Sequence, residues 1–295
     1  MTHRILLSAM SAVAALPLPL LYPAADFAAF TLRRIVRYRR RVVRANLKEV
    51  FPNLSDKERL NIEKKFYRHL CDIFVETFKL LNISDKEIDR RVTAEGAELI
   101  DDSSRRGKSS VVFLGHYGNW EWGTALCRHL KVKTDFVQLY RPLRNRFFDH
   151  LMLRIRGRFG SKSIPVKTAL RQLISLTQSG ETFVAGFIAD QRPLGKNKAK
   201  HWTDFLGIDT AYLPGGEMLG RHLDTDFYYL DISMPRRGRY HFKVIPIKTD
   251  HNAGHTPDPA EEYPVTRQYL KLLEQTIRRD PPLWLWSHNR WASRR

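Results

Sequence analysis

A histidine and a carboxylate are the residues of this chain best placed to do chemistry. His116 follows the apolar run Val111-Val112-Phe113-Leu114-Gly115, and Glu121 comes five positions later, in His116-Tyr117-Gly118-Asn119-Trp120-Glu121. A neutral imidazole here can take a proton from an attacking hydroxyl or amine. A carboxylate on its other ring nitrogen can fix the tautomer and stabilise the imidazolium. As a bare pattern the pair is weak, because 11 His and 31 acids in 295 residues give roughly one such spacing by chance. What singles it out is context: His116 leaves a strand-like run at a Gly-flanked turn, and Glu121 lies in the helical stretch that follows. The bland alternative is a structural histidine beside a surface glutamate. The chain has no Gly-x-Ser-x-Gly elbow, so such a base would activate the nucleophile of a substrate rather than one of the protein.

The surrounding elements are those of an α/β protein. Apolar runs at 111–114, 136–140 and 182–188 read as strands, and helical stretches at about 120–130, 146–159 and 168–178 alternate with them. That alternation predicts a mostly parallel central sheet flanked by helices, and fully apolar strands suit a sheet covered on both faces. Ligands of open α/β sheets bind beyond the C-terminal ends of the strands. Those ends carry His116 and Glu121, then Arg141 and Asn145, then Asp190 and Gln191. A hairpin is expected around Arg236-Arg237-Gly238 and a last helix over about 266–279. Ser55-Asp56-Lys57-Glu58 is a capping box that opens a long helix, and Ser84-Asp85-Lys86-Glu87 repeats the signal.

The N-terminus reads differently. No charged residue occurs from position 5 to position 25, enough for a helix of roughly 30 Å, although Pro17, Pro19 and Pro23 argue against one unbroken helix. Arg4 precedes the run, and Arg33, Arg34, Arg37, Arg39, Arg40, Arg41 and Arg44 follow it. Positive charge stays cytoplasmic, which favours a retained anchor over a cleaved signal peptide. Arg33, Arg37, Arg40, Arg41, Arg44 and Lys48 recur at steps of three and four, as on one face of a helix. Such a face suits an anionic membrane, at about 1 kcal/mol per basic residue; the plain alternative is a solvated helix face. The expected organisation is therefore an apolar membrane anchor over 1–32, a basic amphipathic and helical segment over 33–91, and an α/β core over 92–295 that forms one domain with the preceding helices.

Composition narrows the partners. Fifty Lys and Arg against 31 Asp and Glu leave a net charge of +19, which points to an anionic partner: an acidic membrane face, an acidic carrier, a phosphorylated substrate or nucleic acid. The two cysteines, Cys71 and Cys127, form no Cys-x-x-Cys, so a cysteine zinc site is excluded and a reducing compartment is the natural reading. His251 and His255 have metal-like spacing but lie in a Gly- and Pro-rich loop without helix support. Gly107-Lys108-Ser109 imitates the end of a phosphate-binding loop, yet it precedes its strand and lacks the first glycine.

Taken in order, several blocks resemble a family. His116-x4-Glu121 is similar to the His-x4-Asp/Glu motif of the lysophospholipid acyltransferases, and most similar to that of the late acyltransferases of bacterial lipid A biosynthesis, of the lauroyl/myristoyl transferase type. Tyr140-Arg141-Pro142-Leu143-Arg144-Asn145 resembles that family's Tyr-Arg-Pro…Asn block, and Arg154-Ile155-Arg156-Gly157-Arg158-Phe159-Gly160 its Arg-rich segment. Asp190-Gln191, Phe205-Leu206-Gly207 with Ala211, and Trp284-Leu285-Trp286-Ser287-His288-Asn289-Arg290-Trp291 resemble its later blocks. The resemblance implies a glycerolipid acyltransferase-like fold with an N-terminal membrane-anchoring helical segment. It implies His116 as general base and Glu121 as its orienting partner. Arg141, Asn145, Arg154 and Arg156 would lie near anionic parts of donor or acceptor, and Asp190 and Gln191 would line the site or cap a strand.

The activity implied is transfer of a fatty acyl chain from an acyl carrier protein or coenzyme A thioester to a hydroxyl of a lipid A precursor or related glycolipid. It would take place at the cytoplasmic side of a bacterial inner membrane with its anionic lipids, with no metal and no bound cofactor. Tyr117-Gly118-Asn119-Trp120 and Phe205-Leu206-Gly207 depart from the family pattern. They leave other acceptors open: an amino-acid lipid, a lysophospholipid or a phosphatidylinositol mannoside. The alternative from another class is a non-enzymatic basic protein that binds anionic lipid or nucleic acid. No recognised nucleic-acid motif is present, so nucleic acid is not expected as a partner.

Overall fold

The computed structural model describes residues 2–193, 200–248 and 262–292. Five helices come first: α1 (Thr2–Ala15), α2 (Leu18–Arg34), α3 (Arg40–Val50), α4 (Asp56–Lys79) and α5 (Asp85–Arg91). The uncharged N-terminal run is broken at Pro17, which caps α2, and Pro23 sits inside α2. Among the described residues no helix is long and apolar enough to cross a membrane. α2 is instead two-sided. Leu18, Leu21, Ala25 and Ala29 are buried, while Leu20, Phe27 and Phe30 face outward.

The single basic helix expected after this run is also broken. α2 ends at Arg34, Arg37 and Arg39 adopt left-handed backbone angles (φ 55° and 48°), and α3 begins at Arg40. Arg33, Arg40 and Arg44 converge on the buried carboxylate of Glu63 on α4, at 3.0, 3.0 and 2.7 Å. Half of the basic stripe is thus committed to an internal acid, because a buried acid must be paired, although of the three only Arg33 is itself buried. α4 itself starts as its sequence dictates: the Ser55 hydroxyl accepts from the Glu58 N–H at 3.3 Å, and the Glu58 carboxylate accepts from the Ser55 N–H at 2.7 Å.

The core follows: β1 (Val92–Glu95), α6 (Ala97–Arg105), β2 (Ser110–Leu114), a 3₁₀ helix (Trp120–His129), β3 (Asp135–Tyr140), α7 (Arg146–Arg156), β4 (Lys162–Pro165), α8 (Ala169–Gln178), β5 (Phe183–Ile188), β6 (His201–Phe205), β7 (Ile208–Tyr212), α9 (Gly215–His222), β8 (Asp226–Arg236), β9 (Arg239–Pro246) and α10 (Pro264–Arg279). Seven strands form one sheet in the order β1-β9-β8-β2-β5-β3-β4, and β6 and β7 form a separate hairpin. β8, β2, β5, β3 and β4 are parallel; β9 returns antiparallel to β8, and β1 runs with β9.

Alternation along the strands divides the sheet into two faces. On one, Phe113 stacks against Tyr269 of α10 with ring centroids 5.0 Å apart. On the other, Val112 and Leu114 of β2, Gly186 and Ile188 of β5, and Gln138 and Tyr140 of β3 face a cavity beneath the 3₁₀ helix and α7. One hydrophobic cluster runs from Ala14 of α1 to Trp291, so the N-terminal helices and the sheet share a core.

Candidate active site

The centre of the site follows from strand register. β2 and β5 are parallel neighbours with Leu114 opposite Ile188. Two residues beyond those strand ends, His116 and Asp190 meet. Asp190 Oδ1 accepts from His116 Nδ1 at 2.6 Å, and Oδ2 accepts from the His116 backbone N–H at 2.9 Å. Trp284 Nε1 donates to the same Oδ2 at 2.8 Å. Burial alone would raise the Asp190 carboxyl, but the imidazole beside it and these N–H donors outweigh burial and hold it down at about 2. A permanently anionic carboxylate on Nδ1 fixes the proton there. It makes Nε2 the accepting nitrogen, and the Gln191 side-chain amide donates to it at 3.1 Å.

Backbone contacts hold the histidine from behind. Gly118 donates its N–H to the Leu283 carbonyl at 3.0 Å, and Leu285 donates to the His116 carbonyl at 3.1 Å, so the segment after α10 pairs with the turn that carries His116. Gly118 has φ 58°, and a Cβ there would come within 2.7 Å of Ile232 Cγ2, so only glycine fits. Its carbonyl faces Nε2 of the buried His69 at 3.1 Å. Burial drives the His69 ring down to about 4, which keeps it neutral.

Glu121 was expected on His116 Nδ1; the carboxylate that stands there is that of Asp190. Glu121 instead takes both arms of Arg156, at 2.8 and 2.7 Å, and the pair forms part of the cavity wall. Its guanidinium thus has a protein carboxylate where a ligand anion was expected, because a partly buried Arg–Glu fork is best satisfied by its own partner. Asn145 caps α7, its Oδ1 accepting from the Phe147 and Phe148 N–H groups at 3.0 and 3.3 Å. Arg154 is exposed on α7 and does not line the cavity. Arg141 is exposed and lines it, as do His116 and Gln191. Trp284, whose indole holds the Asp190 carboxylate, was not singled out from the sequence; its position in the closing Trp-x-Trp block is the available signal.

The cavity has a volume of about 700 Å³. Val112, Leu114, Leu126, Phe136, Met152 and Leu153 make much of its wall apolar, and His116 and Gln191 stand at the strand-end side. Among the described residues no group of three or more His, Cys, Asp or Glu is placed to hold a metal ion, and His251 and His255 lie outside the described residues. The arrangement offers a proton acceptor of fixed tautomer beside an oil-lined chamber.

Comparisons with known proteins place the chain in a family. The family model for bacterial lipid A biosynthesis acyltransferases matches residues 2–293. The chain is similar to the lipid A biosynthesis palmitoleoyltransferase of Escherichia coli, 23% identical over 262 residues, covering 89% of this chain and 81% of that protein. It is similar to the lipid A biosynthesis lauroyltransferase of the same organism, 23% identical over 285 residues, covering 96% and 88%. A lipid A biosynthesis acyltransferase of Haemophilus influenzae is 23% identical over 278 residues, covering 90% and 81%. With the family model matched across nearly the whole chain, the protein belongs to the bacterial lipid A biosynthesis acyltransferase family and is an acyltransferase.

Proposed function

We propose that the protein works at a membrane surface, moving a fatty acyl chain from an acyl carrier protein or coenzyme A thioester to a hydroxyl of a lipid A precursor or related glycolipid. The observation that carries this reading is a His116 Nε2 directed to an apolar cavity while a buried carboxylate grips Nδ1. His116 Nε2 takes the acceptor hydroxyl's proton as that oxygen attacks the thioester carbonyl. The carbon–sulfur bond breaks as the tetrahedral intermediate collapses, and His116 returns the proton to the departing thiolate. Gln191, whose amide N–H group is 3.1 Å from His116 Nε2, is near enough to donate to the developing oxyanion. Exposed Arg141, Arg144, Arg146 and Arg154 supply positive charge beside the cavity for an acidic carrier or a phosphorylated acceptor.

The membrane part of the reading is supported by α2 and the turn after it. Leu20, Phe27, Phe30, Ile35 and Val36 are all exposed, and Arg34, Arg37 and Arg41 are exposed among or beside them. That combination suits a helix lying in the interface of an anionic leaflet, apolar residues among the acyl chains and guanidinium groups at the phosphates. The acceptor is tested by mass spectrometry of lipids from a strain lacking the gene. A lipid A species short of one acyl chain is expected. Loss of an acyl chain from another lipid class would replace the acceptor, and an unchanged lipid profile would overturn the reading.

A further inference from the structure

We propose that Gly186 sets the length of the acyl chain that the enzyme accepts. The inference rests on the acyl-transfer reading of the same site, and it starts from a residue that is out of place. Gly186 lies inside β5, with β2 and β3 on either side. A glycine within a strand weakens it and marks a place where something approaches the backbone closely. Here the approach is to empty space. Gly186 is only half-buried although it lies within the sheet, and it lines the cavity. A Cβ added to it meets nothing nearer than the Val137 carbonyl oxygen, at 3.8 Å. Any side chain at this position therefore stands in the cavity rather than against the fold.

Its depth can be read from the register. Gly186 is level with Val112 on one side and Gln138 on the other. Val112 is four residues before His116, which places this row about 13 Å below the histidine at about 3.3 Å per residue. An extended chain advances about 1.2 Å per bond. An acyl chain whose carbonyl is at His116 therefore reaches Gly186 after roughly ten to eleven bonds. Shorter chains end above it, and longer ones must pass over the bare backbone.

The test replaces Gly186 with Ala, Val and Leu. Two measurements are made on the full-length protein with each variant: acyl transfer from decanoyl, dodecanoyl, tetradecanoyl and hexadecanoyl thioesters, and calorimetric binding of the matching free fatty acids. The decanoyl chain is expected to be handled as by the wild type. Transfer and binding of the tetradecanoyl and hexadecanoyl chains should fall in the order Ala, Val, Leu, by about tenfold or more for Leu, the scale on which an apolar pocket discriminates single methylenes. Thermal melting should stay at or above the wild-type value, since Gly→Ala in a strand removes an entropic penalty. An unchanged chain-length profile, or an equal loss for every chain length, would overturn the proposal. The two readings separate: a wild type that moves no acyl chain, with variants whose fatty-acid binding follows this length dependence, contradicts the acyl-transfer reading and leaves Gly186 as the selector.

Discussion

Replacing Asp190 with Asn should disable the enzyme by changing one proton's address. Asp190 receives three donors and gives none: His116 Nδ1–H on Oδ1, and the His116 backbone N–H and the Trp284 indole N–H on Oδ2. An asparagine has one acceptor oxygen and one NH₂ group. The oxygen is better used at the Oδ2 position, where two donors converge. That leaves the NH₂ group against His116 Nδ1, which must then accept. The imidazole proton moves to Nε2, the atom that has to take the acceptor's proton. A wrong-tautomer defect of this kind costs on the order of 10³–10⁴ in kcat, about 4–5.5 kcal/mol. Glu121→Gln touches only the Arg156 fork in the cavity wall and should stay within about tenfold of the wild type, losing part of one charge-assisted pair. Steady-state release of free thiol from an acyl thioester, with thermal melting as the control for folding, measures both. An Asp190→Asn enzyme retaining more than a tenth of wild-type kcat, or a Glu121→Gln enzyme losing a thousandfold, would refute the reasoning and return the orienting role to Glu121.

Three further outcomes follow from other parts of the structure. Trp284→Phe removes the indole donor from Asp190 Oδ2; kcat should fall about tenfold to a hundredfold at similar KM, the worth of one hydrogen bond to a charged group, and an unchanged kcat would contradict its positioning role. Glu76 is fully buried and accepts from the Tyr22 and Tyr240 hydroxyls and the Asn119 amide, yet burial lifts its carboxyl from the usual 4.5 to about 7. The unfolded chain therefore loses this proton first, and the group's contribution to stability falls by about 3 kcal/mol as pH rises across that window. Glu76→Gln lacks the fall, so its stability relative to the wild type should improve between pH 5 and pH 7.5, whereas a pH-independent difference in denaturant titrations would contradict the shift. Phe27→Ser with Phe30→Ser removes two exposed rings from α2; at about 1.5–3 kcal/mol per buried ring, affinity for phosphatidylglycerol vesicles should drop by a hundredfold or more with melting unchanged, and unaltered sedimentation would contradict the docking face.

Local rules made much of this molecule legible. The two Ser-x-x-Glu caps start α4 and α5 where they occur, and three apolar runs are β2, β3 and β5. The strand-end rule gathers His116, Asp190 and Gln191 from the sequence alone. What local reading missed is contact between residues distant in sequence. Asp190 is 74 positions from His116, and only the parallel register of β2 with β5 brings them together, whereas Glu121 had proximity along the chain in its favour. Likewise, Arg33, Arg40 and Arg44 look like one solvated stripe, yet all three pair with the buried Glu63. The left-handed turn at Arg37 and Arg39 that breaks the helix carries no glycine to announce it.

The claim on which everything else depends is that His116 is the base of an acyl transfer. It is tested most directly by giving purified wild-type enzyme and His116→Ala a dodecanoyl thioester and a lipid A precursor in mixed micelles and quantifying the acylated product by mass spectrometry. The wild type should form product, and His116→Ala should form at least about a thousandfold less while melting and binding vesicles as the wild type does. Product formation by His116→Ala within tenfold of the wild type would contradict the account.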